Sequence, residues 1–203
     1  MRGLLLKDCY TLLKQLKIML VILLVWACIP NFAFGPMAVF YAAMLPVTAL
    51  AYDERSKWDE LASMMPYSVR DIVLSKYLLG VGVVGAATVV SGLAQLLIAA
   101  VRGTGLDGTE AIALLLTACL ALAMLGIMLP IMFRMGVEKG RIALMLVICA
   151  VVVGVMAAGD WLTAFLNGMT SPVLLVPLMF LFSAAVLAVS VPVSVRLYRK
   201  GRA

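Results

Sequence analysis

The chain has 203 residues, 65% of them apolar and only 13% charged, with a mean hydropathy of +1.14 and no histidine. Ordinary soluble domains carry about 25% charged residues, so this composition excludes one and indicates an all-α polytopic membrane protein. The net charge of +6 forms no single basic patch, which argues against nucleic acid as a partner and for membrane lipids with anionic headgroups.

The first segment, RGLLLKDCYTLLKQLK, places Leu5, Cys9, Leu12, Leu13 and Leu16 at helical spacing, with Lys7, Thr11 and Lys14 on the other face. This pattern predicts an amphipathic helix over residues 1–17 lying in the headgroup plane, its lysines snorkelling to phosphates. A cytoplasmic extension of the first span is the alternative. Crossing about 30 Å of hydrocarbon takes roughly 20 apolar residues. Six apolar segments are read as spans, at approximately 18–32, 36–52, 72–101, 111–133, 142–158 and 172–195, the limits of the first two being the least fixed. Pro30, Asn31, Gly35 and Pro36 predict a turn between the first two, which could otherwise be read as one long span.

Between spans two and three the chain turns polar, with nine charges in DERSKWDELASMMPYSVRDIVLSK, Asp53 to Lys76. Ser56 and Asp59 have the spacing of a capping box, and Trp58, Leu61, Ala62 and Met65 fall at i, i+3, i+4 and i+7 before Pro66. The spacing predicts one short amphipathic helix. Ser68 and Asp71 form a second box opening span three, which at about 1.5 Å per residue outruns the bilayer core. Asp71 and Lys76 are thereby expected in or near water. Span three also gathers Gly80, Gly82, Gly85, Ala86 and Ala87, either for close helix packing, including a dimer contact, or to line a moving pathway. Asp107 and Glu110 cap span four after the short turn RGTGLDGTE, and Pro130, Pro177 and Pro192 are candidate bends.

Cations decide orientation, since Lys and Arg near span ends stay in the cytoplasm. Four precede span one (Arg2, Lys7, Lys14, Lys17) and four separate spans two and three (Arg55, Lys57, Arg70, Lys76). Arg134, Lys139 and Arg141 separate spans four and five, and Arg196, Arg199, Lys200 and Arg202 follow span six. Only Arg102 falls on the other side, so both termini are expected in the cytoplasm.

Reactive chemistry is missing. Ionisable residues at membrane depth mark function by default, and here every Asp, Glu, Lys and Arg falls at a span end or in a loop. Cys9, Cys28, Cys119 and Cys149 lack metal-ligand spacing and read as small apolar filler. Gln95, the most polar residue at depth, is either interhelical glue or a contact on a substrate pathway. No G-x-x-x-x-G-K-[ST] loop occurs, so any ATP and Mg would be bound by another subunit.

The stretch Tyr52 to Gly80, with Glu54 and Trp58 four apart, Ser63 and Pro66 three apart, then Ser68, Ile72, Val73, Ser75, Lys76 and Tyr77, resembles the small bacterial ABC type-2 exporter permeases. It is similar to the group that includes the phenol-soluble-modulin exporter permeases. LPIMFRMGVEKGRI, Leu129 to Ile142, adds a second cytoplasmic motif with Arg134, Gly136, Glu138, Lys139 and Arg141. The resemblance spans nearly the whole chain, departing at Met64 and Met65, where Leu is usual before the proline. It implies a transmembrane domain over 1–203 that acts as a permease dimer, of two copies or two homologous permeases, docked on two ABC ATPase subunits.

In such exporters the N-terminal amphipathic helix is the elbow and the helix between spans two and three is the coupling helix. Carried over, Trp58, Leu61, Ala62 and Met65 would meet the ATPase or the inner membrane end, with Lys57, Asp59 and Glu60 at the rim. The expectation is an ATP-driven exporter of a hydrophobic or amphipathic substrate such as a peptide, toxin or lipid-like molecule, not itself an enzyme. A membrane immunity or sensor subunit that binds antimicrobial peptides or lipids is the competing class.

Overall fold

In the computed structural model, residues 3–4, 6–8, 10, 34–64, 68–102, 108–143, 145–146, 149 and 172–201 are described, and among them there is no strand. The helices are α1 (Phe34–Ala43), α2 (Leu45–Arg55), α3 (Trp58–Met64), α4 (Val69–Arg102), α5 (Gly108–Met135) and α6 (Pro172–Gly201). The described N-terminal residues and residues 137–143 are also helical. Four stretches are long and apolar enough to cross a membrane: Pro36–Arg55, Val69–Ala100, Gly108–Met135 and Leu175–Arg199. They correspond to predicted spans two, three, four and six. Predicted span one lies outside the described residues, as does most of span five, of which 142–143, 145–146 and 149 are helical.

Span two is interrupted where α1 gives way to α2. Pro46 has no N–H for the carbonyl of Ala42, and the chain bridges the gap with Met44 N–H donating to the Tyr41 carbonyl at 3.0 Å. The helix resumes at once, because Pro46 stands in the first turn of α2, where its missing donor costs nothing. Span three is the longest element at 34 residues, or about 51 Å. Its start follows the predicted second box: Asp71 N–H donates to Ser68 Oγ at 3.1 Å. Ser56 of the first box does not open a helix. Ser56 is instead the C-cap of α2 and its hydroxyl donates back to the Asp53 carbonyl at 3.2 Å. Span six likewise runs past its predicted end, continuing as helix through the basic tail to Gly201.

α5 lies at the centre, with Ala121, Leu125, Met128, Leu129 and Met132 all buried. Its most extensive contact is with α6, while α1 packs on both α4 and α5. Lipid tails are as apolar as leucine, so these contacts gain little from leaving their surroundings and depend on close fit instead. Small residues supply the fit. Ser183, Ser190 and Ser194 form the buried stripe of α6, and a Cβ on Gly126 of α5 would meet Val186 Cγ1 at 2.9 Å.

The predicted glycine cluster of α4 divides in two. A Cβ on Gly80 would lie 2.3 Å from Leu125 Cδ1 and 3.2 Å from Pro46 Cγ, so Gly80 is where α4 closes on α5 and α2. Among the described residues, a Cβ on Gly82 or Gly85 would meet nothing within 4 Å.

Candidate functional site

The end of α2, all of α3, the start of α4 and the ends of α5 and α6 meet at one end of the bundle with the N-terminal helical residues. The helix directions require this: α2 arrives there, α4 departs, and α5 and α6 both arrive. Lys7, Arg55, Lys57, Arg70, Lys76, Arg134, Arg141 and Arg199 stand at this end. The segments separated by hydropathy alone thus converge.

At the centre of the joint is an ion cluster. Lys76 Nζ lies 2.8 Å from each carboxylate oxygen of Asp8 and 2.5 Å from Asp53 Oδ2. Lys7 Nζ reaches Asp53 Oδ1 at 2.5 Å and Asp8 Oδ1 at 3.3 Å, and stands 4.0 Å from the ring centroid of Trp58. Two lysines and two aspartates therefore balance. The pairing matters because the Lys76 and Asp8 side chains are only 4% and 2% exposed, and an unpaired charge so placed would be strongly unfavourable. This corrects two expectations. Lys76 is not held near water, and Lys7 does not reach away to lipid phosphates but ties the N-terminal segment to α2 and α3.

Asp8 and Glu54 carry roles that the sequence reading did not assign. Asp8 had a signal: it is the only acidic residue before Asp53. Glu54 Oε2 accepts the Val137 N–H at 2.7 Å, supplying negative charge where helix 137–143 begins. Gly136 makes room for it. Its φ of +77° ends α5 in the left-handed region, and an added Cβ would sit 2.9 Å from Glu54 Oε1. Lys57, between α2 and α3, also has positive φ, at +51°. A left-handed lysine is unfavourable by roughly 1–2 kcal/mol.

The predicted coupling residues are distributed over two faces. Trp58 is half-buried against the main core and Ala62 is fully within it, in company with Ile72, Val73, Leu129 and Tyr198. Leu61 and Met64, by contrast, are 49% and 84% exposed. Lys57 is exposed in the turn. The side chains of Asp59 and Glu60, and residue Met65 as a whole, lie outside the described residues. Helix α3 therefore rests its Trp58–Ala62 side on the bundle and turns its Leu61–Met64 side outward. Beneath Trp58 is a cavity of about 160 Å³ lined by Asp53, Glu54, Lys76, Phe133 and Tyr198, the last two rings meeting edge to face at 5.5 Å.

In the second motif Arg134, Glu138, Lys139 and Arg141 are all exposed. Glu138 and Arg141 share a separate cavity with Arg55 of α2. Gln95 is half-buried in α4, far along the helix from the joint, and has no hydrogen bond among the described residues. A second polar cluster, of hydroxyls, lies one step deeper. Tyr77 Oη bonds Ser194 Oγ at 2.7 Å and also Ser190 Oγ, which donates to the Gly126 carbonyl. Among the described residues no group of His, Cys, Asp or Glu is arranged to hold a metal ion.

Compared with known families, residues 3–199 match the one described as ABC-2 family transporter protein. No curated protein and no solved structure matches the chain.

Proposed function

The chain belongs to the ABC-2 transporter family, as a multi-pass permease component that partners an ABC ATPase, and from that premise we propose that it is an exporter subunit driven through α3. A separate ATPase binds and hydrolyses ATP with Mg. The substrate is hydrophobic or amphipathic, a peptide, toxin or lipid-like molecule, and the functional unit is a dimer of this permease or of two homologous ones on two ATPase subunits. Both termini and the α2–α4 connection face the cytoplasm, since the cation-rich segments share one end of the bundle.

The observation that carries the reading is the two-sidedness of α3. Its outer side presents Leu61 and Met64 bare, while its inner side seats Trp58 and Ala62 in the core. An ATPase groove takes the outer side. The inner side then passes displacement to α2, to α4 and, through Lys7, to the N-terminal helix as one body. Such coupling requires an element with two packed arrangements and no reactive side chain.

Purification with the partner ATPase separates the two sides. Leu61→Asp with Met64→Asp should abolish co-purification, whereas Trp58→Ala should leave the complex assembled and uncouple ATP hydrolysis from transport. Unchanged assembly and unchanged hydrolysis in both would sink the assignment. For orientation, a cysteine at Thr109, in a variant lacking the four native cysteines, should react with an impermeant maleimide on intact cells. Labelling only after permeabilisation would invert the topology.

A further inference from the structure

The second motif is left unused by the coupling scheme, yet it borders a cavity of about 350 Å³ lined by Thr48, Ala51, Tyr52, Glu54, Arg55, Val137, Glu138 and Arg141. Four of these residues, Thr48, Ala51, Tyr52 and Arg55, stand at i, i+3, i+4 and i+7 of α2 and so line one face of it. They extend for roughly 10 Å along the helix axis. One end lies at Thr48, well inside the membrane-spanning stretch Pro36–Arg55, and the other at its charged terminus. The lining follows the same gradient, from small and weakly polar, through a tyrosine at interface depth, to two guanidiniums.

Neither Arg55 nor Arg141 forms an ion pair among the described residues, although Glu54 and Glu138 line the same cavity. Glu54 is committed elsewhere, to the Val137 N–H. Arg55 of α2 and Arg141 of helix 137–143 thus border the same cavity from two separate elements, and a guanidinium's planar donor fork suits a phosphate group. Glu138 adds an acceptor at the same rim.

We propose that this cavity binds the phosphodiester headgroup of a glycerophospholipid. Arg55 and Arg141 hold the phosphate, and Glu138 accepts from a headgroup hydroxyl or ammonium. The glycerol end of the chains lies along Ala51 and Thr48. A free phosphate shares the arginine chemistry but not the depth of the cavity. The choline headgroup, lacking a donor, leaves Glu138 without a bond.

The test uses the full chain in detergent and native mass spectrometry with added dioleoyl phosphatidylglycerol, dioleoyl phosphatidylcholine or glycerol phosphate. Phosphatidylglycerol should be retained at least about fivefold better than phosphatidylcholine, and glycerol phosphate should fail to displace it. Arg55→Gln with Arg141→Gln should abolish retention of phosphatidylglycerol, Arg55→Lys with Arg141→Lys should restore part of it, and Glu138→Gln should narrow the preference over phosphatidylcholine. An unchanged thermal midpoint shows that each variant is folded; for any that is not, Glu138→Gln alone carries the test. Equal retention of both lipids by the wild type would overturn the site. So would displacement by glycerol phosphate, which would assign the arginines to a free anion. Loss of ATPase binding with lipid preference intact in the double glutamine variant would assign them to the partner subunit.

Discussion

Lys76 and Tyr77 are consecutive in α4, buried to nearly the same degree, and joined to different polar clusters. Lys76 enters a charged one that draws in the N-terminal segment and the end of α2; Tyr77 enters a neutral one confined to α4, α5 and α6. The contrast teaches what each kind of bond can do in a membrane protein. Charges can be buried only at the bundle end, fully paired, and removing one partner strands the others. Hydroxyls can be buried at depth, where their loss leaves a smaller deficit because a neighbouring carbonyl or serine accepts new partners. The charged cluster fastens separate segments into a unit that can move together, whereas the hydroxyl cluster fixes a crossing between spans.

The sharpest way to break that contrast is Lys76→Met. Leaving the buried Asp8 and Asp53 with Lys7 as their one shared cation among the described residues should cost about 3–5 kcal/mol, a fall of roughly 10 °C in the thermal midpoint in detergent. Adding Asp8→Asn and Asp53→Asn should recover much of it, and a triple variant no better than the single one would refute the ionic account. Gly80→Ala comes next, at about 1–3 kcal/mol, since the new methyl meets Leu125 and Pro46. Gly82→Ala, with open space around it, should leave the midpoint unchanged. Tyr77→Phe should lose about 1 kcal/mol. If it matched Lys76→Met, the two clusters would not differ in kind. The smallest effect is expected for Glu54→Gln, about 0.3–1 kcal/mol, because only the carboxylate's charge at the start of helix 137–143 is lost while an acceptor remains. Hydrogen exchange at Val137 should quicken without change elsewhere.

Much of the helical plan could be read in advance because it depends on local features. Apolar runs of membrane length give spans two, three, four and six, and the Ser68–Asp71 spacing gives the start of α4. Ser56 does not open α3 for a reason equally local in scale. Ser56 was already spent closing α2, and Lys57 took the left-handed turn that a sequence pattern does not reveal. The apolar spacing of Trp58, Leu61 and Ala62 was real but did not say which residues faced in. Helix α3 has Trp58 and Ala62 against the core and Leu61 and Met64 exposed, and only packing decides which side holds Trp58.

Sequence by itself determined that this chain lives in a membrane and that its cations fall near the ends of its apolar runs. These follow from transfer free energies, which each residue brings with it wherever the chain goes. Tertiary structure alone decided that Lys76 pairs with Asp8 across 68 positions and that Glu54 serves a helix 83 positions away. It also decided that Gly80 is a contact while Gly82 is not. A charge or a missing Cβ acquires its meaning from what stands opposite it, and in this molecule that is set by where the helices cross.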